Sequence, residues 1–596
     1  MRLIHSNTAS SLVVSSSLVL SALANFHVAR DSTDFNWASL ASSTTLSWTP
    51  CYDAFQCARF TVPLQYSNLS AGEAQIALVM SPSEFKPGDE NYLGPILFNP
   101  GGPGGSGVQY VLEFAEYFRA VIGPKYDLVG FDPRAVGQTT PPLSVFESPA
   151  EALEFYGDFP LNSNESVSSL GLFYTKSKIL SNLVLDKAKV IAESVSTAAV
   201  ATDMLGITRA FGFDKLSYWG ISYGSVIGAT YAAMFPENIN HLLIDGVLNS
   251  HDWYAGNLFS SLQDTDKALA SIYEACHEVG PTLCAIYENT TDLISARVNK
   301  IINDVHILPV PVYNNTDPSS ITFGSVDYSV LISELFQMVY SPYALAPIAA
   351  EGLVQLEQGI SGSITFQGTI IQAMVDPLAT CDFNNSQPFV AGLLDTSNAI
   401  QCGDVLVNQT MSFPEVQKVY DQNVQTSLFA PQAYNIDIGL CTTWPTTITA
   451  KDRFNGSFTT NTSSPILLIG NTFDPITPIT GARNMSAGFV GSVLLQQNST
   501  GHTSLSGFST CTALAIHAYF ANGTLPAPGT VCQPDTTIFQ NPANSSAQGA
   551  GVNITIPNTR RSELGVYTLR EAVDVVARSN FLVKSSVLGR MMRRAF

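Results

Sequence analysis

KLSYWGISYGSVIGATYAAM, Lys215 to Met234, is the stretch whose reading decides the fold. Lys215–Trp219 reads as a short β-strand. Ser225–Met234 reads as a helix of small residues stopped by Phe235-Pro236. Between them stands Gly220-Ile221-Ser222-Tyr223-Gly224, a G-x-S-x-G turn from strand to helix, which holds a serine hydroxyl clear of the sheet edge. A Cβ at either flanking position would collide with the neighbouring strand or helix, so glycine is required there. The bland alternative is a structural glycine turn, since the pentad alone arises by chance. The strand before it and the helix after it favour Ser222 as a nucleophile.

A serine at neutral pH needs a base to take its proton and an acid to hold that base. On this scaffold the partners follow in the order Ser, then Asp or Glu, then His. Of the eight histidines, His5 lies in the leader and His27 near the mature start. His241 begins a strand at its wrong end, His277 and His306 belong to an inserted region, and His517 sits inside a helix. His251, just past a strand end, competes. His502, in Gly501-His502-Thr503 after the last strand, is the expected base. Asp474, in Asn471-Thr472-Phe473-Asp474-Pro475 after strand Pro465–Gly470, is the expected acid, with an Asx-Pro turn as its bland reading and Asp245 as the alternative acid.

The run Pro100-Gly101-Gly102-Pro103-Gly104-Gly105-Ser106-Gly107 follows the buried strand Gly94–Asn99. Glycines let backbone N–H groups approach a developing oxyanion, where each such donor lowers the barrier by about 3–4 kcal/mol. Gly102 and Tyr223 are the expected donors. A phosphate-binding loop is the rival, but the Gly-Lys-Ser/Thr ending is missing.

Further strands are expected at Ala58–Tyr66, Ala74–Ser81, Tyr126–Asp132, His241–Val247 and Ser492–Gln497, with a helix at Thr197–Phe211. Strands alternating with helices predict an α/β fold with a mostly parallel sheet covered on both faces. From Leu248 to Ala450 the rhythm gives way to helical stretches, Leu258–Val279 and Val330–Val339 among them, joined by Asn/Ser/Pro/Thr-rich loops. That region reads as a helical cap inserted into the core. The chain thus divides into a leader (1–24), a first core part (25–248), the cap (249–450), a second core part (451–543) and a linker with a basic tail (544–596).

The leader has a short start with Arg2, an apolar run Ser11–Leu23 and small residues at Ala22-Leu23-Ala24, the layout of a secretory signal. Thirteen Asn-x-Ser/Thr sequons stand at Asn68, Asn164, Asn289, Asn314, Asn384, Asn408, Asn455, Asn461, Asn484, Asn498, Asn522, Asn544 and Asn553. Chance would supply about half as many, so a secreted glycoprotein is expected. Only 13% of residues are charged, the formal net charge is −20 and mean hydropathy is +0.15. Such an acidic chain repels nucleic acid and anionic membrane surfaces, and no later segment is long and apolar enough to span a bilayer. Nine cysteines in a secreted chain predict disulfides rather than a metal site. Near neighbours pair as Cys51–Cys57, Cys276–Cys284 and Cys511–Cys532. Of Cys381, Cys402 and Cys441 one is left over, and Cys402–Cys441 is the favoured bond. No cofactor or metal is expected.

Several stretches together resemble the tripeptidyl aminopeptidase-like branch of the α/β-hydrolases, relatives of proline iminopeptidase. They are Cys57-Ala58 with Val62-Pro63-Leu64, Asn99–Gly104, Asp132-Pro133-Arg134, the Ser222 pentad, Asp245-Gly246-Val247, Gly470–Pro478 (GNTFDPITP), Gly501-His502, and Cys511–Cys532 with Gly523-Thr524-Leu525-Pro526. The resemblance runs from about Asn36 to about Pro534. It implies the α/β-hydrolase fold, a Ser222/Asp474/His502 triad and an exopeptidase that removes short peptides, tripeptides in the family, from free N-termini. It also implies acidic cap residues for the substrate's α-amino group, a role to which no cap residue is matched. One departure is Ala135, where the family commonly has glycine after Asp-Pro-Arg. A carboxylesterase or lipase with the same triad is the first alternative, and a non-catalytic glycoprotein the second.

Overall fold

The computed structural model describes residues 35–314, 322–359, 393–406, 410–435 and 439–539. The leader, the tail, Cys381, Asn384, Asn408, Asn544 and Asn553 lie outside the described residues.

The core is an 11-stranded sheet. Its main strands are β1 (Phe55–Pro63), β2 (Glu73–Ser81), β3 (Pro95–Asn99), β4 (Asp127–Phe131), β5 (Leu216–Ile221), β6 (Ile239–Asp245), β7 (Leu467–Phe473) and β8 (Val493–Thr500). They lie in the order β1-β2-β4-β3-β5-β6-β7-β8. The β1–β2 and β2–β4 pairs are antiparallel, and every pair from β4 to β8 is parallel. Parallel strands need crossovers that cover both faces, so their sequences read as unbroken apolar runs. Alternate residues go to opposite faces. Tyr218, Leu242, Ile244 and Leu468 enter one core, while Trp219, Leu243, Leu467 and Ile469 enter the other. Each is buried, and burying one such aliphatic side chain contributes about 1.5–3 kcal/mol.

Helix α1 (Gly107–Ile122) and the helix Thr510–Asn522 pack together on one face. Helices α2 (Thr197–Ala210) and α3 (Tyr223–Met234) cover the other. Ser106 caps α1 by accepting from Gln109 N, and Ser196 caps α2 by accepting from Ala199 N.

The cap forms over the C-terminal strand ends. Its largest described elements include Thr265–Val279, Thr291–Ile307, α4 (Tyr328–Tyr340), Pro342–Glu357 and α5 (Leu393–Asp404). Three differences from the sequence reading concern it. Leu258–Val279 is not one helix: a 3₁₀ turn, Leu258–Leu262, precedes the helix that starts at Thr265, with Asp264 at its N-cap position. The insertion also holds a β-hairpin, Val310–Asn314 with Thr322–Val326. The helices Pro149–Tyr156 and Ser169–Lys187, which the sequence reading leaves in the first core part, join the cap. Tyr156 bonds Asp395, Ser163 bonds Asn435, and Phe173 packs on Tyr434. Four disulfides, Cys51–Cys57, Cys276–Cys284, Cys402–Cys441 and Cys511–Cys532, join the pairs expected from sequence. No helix among the described residues is long and apolar enough to cross a membrane.

Candidate active site

Strand β5 ends at Ile221 and α3 begins at Tyr223, so one residue, Ser222, makes the whole turn. Its backbone takes φ +59° and ψ −123°, a strained conformation for a residue with a Cβ. The strain is held from three sides. Ser222 N donates to Asp245 O at 2.9 Å, and Ser222 O accepts from Ser225 N at 2.8 Å and from Ser225 Oγ. A Cβ on Gly220 would stand 2.2 Å from Gly224 O, and one on Gly224 would stand 2.7 Å from Asn99 O. Ser222 is half-buried between buried Ile221 and Tyr223.

The glycine loop after β3 closes directly onto this turn. Gly101 N donates to Asn99 Oδ1 at 2.9 Å, and Gly105 N to Gly101 O at 3.0 Å. A Cβ on Gly101 (φ +92°) would fall 2.8 Å from Ser222 Cβ and 2.9 Å from Tyr223 N. Only glycine permits that approach. Gly102 is exposed between buried Gly101 and Pro103. Beyond the loop, Asp132 accepts from Ser106 Oγ (2.6 Å), Val108 N (3.1 Å) and Gln138 N (2.7 Å), tying the start of α1 to the end of β4. Arg134 forms a buried two-point pair with Asp203 (2.6 and 2.7 Å) and is structural.

The ends of β7 and β8 supply the other two groups. Asp474 is fully buried, and His502 is 4% exposed. His502 Nδ1 lies 2.9 Å from Asp474 Oδ1 and 3.1 Å from Oδ2. The carboxylate also accepts from Ile476 N, Thr477 N and Thr503 N at 2.8–3.1 Å. Burial would push its pKa up, but the facing imidazole and the hydrogen bonds outweigh that and hold it below its ordinary value. Strands β5, β6 and β7 are successive neighbours about 4.8 Å apart. The Ser222 turn and Asp474 therefore sit two strands apart at one sheet edge, with the His502 loop beside them.

Three residues here have surroundings that the sequence reading did not assign them. Asn471 Nδ2 donates to Gly501 O, Thr503 O and Ser506 Oγ, fixing the loop that carries His502. Asp245 is not the acid facing His502. Its carboxyl accepts from Ser504 N (2.9 Å) and Ser504 Oγ, while its carbonyl accepts from Ser222 N. Burial above all raises its pKa to about 7. The third is Glu334. Helix α4 is buried throughout except at Glu334, Gln337 and Tyr340, each three residues from the next, so successive pairs of them are neighbours on the helix surface. Tyr340 meets the imidazole, with ring centroids 4.9 Å apart, and Tyr340 O accepts from His502 N at 2.9 Å. Burial raises the pKa of the Glu334 carboxyl to about 8, while the residue as a whole is half-buried. An Asn-free run of apolar neighbours (VLISELFQMV) left only its charge as a signal.

The other described histidines have structural surroundings. His241 packs on Tyr519, and burial lowers its pKa to about 4. His251 lies on the short helix Ser250–Ala255 against Phe458. His277 stacks on Tyr287, His306 stacks on Tyr328, and His517 Nδ1 bonds Val121 O. Among the described residues no group of three or more His, Cys, Asp or Glu could hold a metal ion. The sequon asparagines 68, 164, 289, 455, 461, 484, 498 and 522 are all exposed, and Asn314 ends a cap strand.

Comparison with known proteins finds two matching families and several curated relatives. The family described as alpha/beta hydrolase fold matches residues 94–270, and that described as TAP-like protein matches residues 426–532. The serine protease Hip1 of Mycobacterium tuberculosis is 25% identical over 82% of this chain and 91% of its own. The tripeptidyl aminopeptidase of Streptomyces lividans is 24% identical over 84% of this chain and 89% of its own. Carboxylesterase B of Mycobacterium tuberculosis is 24% identical over 80% and 86%. The Ser222 turn falls within the first matched segment, and Asp474 and His502 fall within the second. The chain has the α/β-hydrolase fold, matches the TAP-like family over residues 426–532, and is a serine hydrolase.

Proposed function

We propose that the chain is a secreted serine exopeptidase that releases short peptides, tripeptides by its resemblance, from free N-termini. Ser222 attacks the scissile carbonyl while His502 Nε2 accepts the hydroxyl proton. Asp474 orients the imidazole and stabilises its charged form. The backbone N–H groups of Gly102 and Tyr223 receive the oxyanion, each lowering the barrier by about 3–4 kcal/mol. His502 then protonates the leaving amine, and water hydrolyses the acyl-enzyme with His502 again as base.

The observation that carries the exopeptidase reading is Glu334. A carboxyl inside the cap, on the helix whose Tyr340 touches His502, is suited to receive a substrate ammonium. Glu334 and Tyr340 are six residues apart, so an axial rise of about 9 Å separates them. Four disulfides and eight exposed sequons support secretion and glycosylation.

Three substrates decide the matter: a tripeptide anilide with a free amine, its N-acetylated form and a short acyl ester. The exopeptidase reading expects rapid cleavage of the first and little of the second. Ester cleavage without peptide cleavage would replace it with a carboxylesterase, the activity named for one of the relatives.

A further inference from the structure

Helix α5 belongs to the cap, yet one end reaches the loop that carries one proposed oxyanion donor, and the other reaches two residues that hold the side chain of the second. In its first turns, Ser397 Oγ donates to Pro103 O at 2.6 Å, on the loop that carries Gly102. Its neighbour Thr396 Oγ1 donates to Ala135 O at 3.2 Å, behind that loop. At the other end, the fully buried Asp404 carboxylate accepts from Thr197 N, Thr197 Oγ1 and Trp253 Nε1. Those same two residues hold the Tyr223 side chain. Thr197 Oγ1 and Tyr223 Oη are 2.6 Å apart, and the Trp253 ring centroid lies 4.9 Å from that of Tyr223. The Cys402–Cys441 disulfide anchors the helix two residues before Asp404.

We infer that α5 is a positioning element for the oxyanion hole, with Ser397 setting the Gly102 amide and Asp404, through Thr197 and Trp253, setting the Tyr223 amide. The physical reason is the steepness of hydrogen bonding with distance and angle. A loop of Gly101, Gly102, Gly104 and Gly105 has few side chains to fix it, and Asn99 grips it from below. Ser397 is a grip from above. Preorganised donors matter only where charge develops on the substrate oxygen, so a loosened loop should slow turnover and leave ground-state binding alone. This inference rests on the hydrolase reading of the site but not on the exopeptidase one, because an oxyanion forms in ester and amide cleavage alike.

The test is Ser397→Ala beside Ser397→Thr, measured on both the free-amine tripeptide anilide and a short acyl ester. For Ser397→Ala the expected result is a fall in kcat of about tenfold or more with KM within about twofold. Affinity for a peptide boronic acid, which presents an oxyanion, should fall by the same factor as kcat. Ser397→Thr keeps the hydroxyl and should restore both. Asp404→Asn, which retains one acceptor oxygen, should show a milder loss of the same type. An unchanged kcat in Ser397→Ala, or a rise in KM with kcat preserved, would overturn the inference. Loss of kcat that Ser397→Thr fails to restore would do so too. Failure of the peptide substrate alone, with the split still seen on the ester, would remove the exopeptidase reading and leave this one standing. Absence of fluorophosphonate labelling at Ser222 in the unaltered protein would sink both.

Discussion

Asp474 and His502 are 28 residues apart in the chain, and 2.9 Å separates Asp474 Oδ1 from His502 Nδ1. The carboxylate is closed off from water and receives three backbone N–H groups besides the imidazole. An amide in its place would present an NH₂ group or a single acceptor and would no longer favour the tautomer that leaves Nε2 free. Asp474→Asn should therefore lower kcat by about 10³–10⁴-fold with a smaller effect on KM. Steady-state kinetics on the best substrate checks this. A loss under tenfold would mean that another group orients the base.

A second expectation concerns pH and stability. Burial is the largest cause of raised pKa values at Asp245 (about 7), Asp395 (about 7), Asp404 (about 6) and Glu334 (about 8). The folded protein keeps these protons where the unfolded chain has released them, above about pH 4. Their contribution to stability is complete below that pH and is lost as pH rises through 6 to 8. His241, lowered to about 4 by burial, works the other way between about 6.5 and 4. The depressed Asp474 acts only below its ordinary carboxylate range. Four carboxyls against one imidazole predict a thermal midpoint that falls from pH 5 to pH 8. Asp395→Asn should flatten that slope, and a midpoint climbing steadily over the interval would contradict the assignment.

Ala135 supplies a third. It holds φ +60°, a left-handed conformation that costs a residue with a Cβ about 1–2 kcal/mol. Ala135→Gly removes that cost, while the freer unfolded chain takes back about 0.4–1 kcal/mol. The net should be a gain of about 0.5–1 kcal/mol, seen as a midpoint about 1–3 °C higher. Activity should not change, since the carbonyl that receives Thr396 Oγ1 stays in place. A lower midpoint would show that the Ala135 methyl earns more by packing than its backbone loses.

Much of this architecture is legible in the sequence because local rules agree there. Strands β3 to β7 are buried on both faces and so read as short apolar runs, and Ser222 announces itself through its two glycines. What stays hidden depends on distant partners. The helices Pro149–Tyr156 and Ser169–Lys187 read as part of the core because nothing local shows that Tyr156 meets Asp395, 239 residues on. Asn471 looks like a turn former in Asn-Thr-Phe-Asp-Pro, and its three bonds to the His502 loop exist only once β7 and β8 are paired. Asp245 matches the position of an acid, but its carboxyl is taken by Ser504.

Glu334 was hidden for the same reason and supports the last prediction. Its carboxyl carries a pKa raised to about 8 by burial, so in the empty protein at neutral pH it is mostly protonated. An incoming ammonium favours the ionised form, so binding must release that proton. KM for a free-amine tripeptide anilide should then fall as pH rises from 6 toward 8, until the amine itself begins to deprotonate near its ordinary value of about 8. A charge-assisted hydrogen bond contributes about 1.5–3 kcal/mol, so Glu334→Gln should raise KM for the free-amine substrate by roughly 10- to 100-fold. Residual cleavage of the N-acetylated substrate should be untouched by the change, and the pH dependence of KM over that interval should weaken. Equal losses on both substrates would mean that Glu334 supports the cap rather than reading the amine.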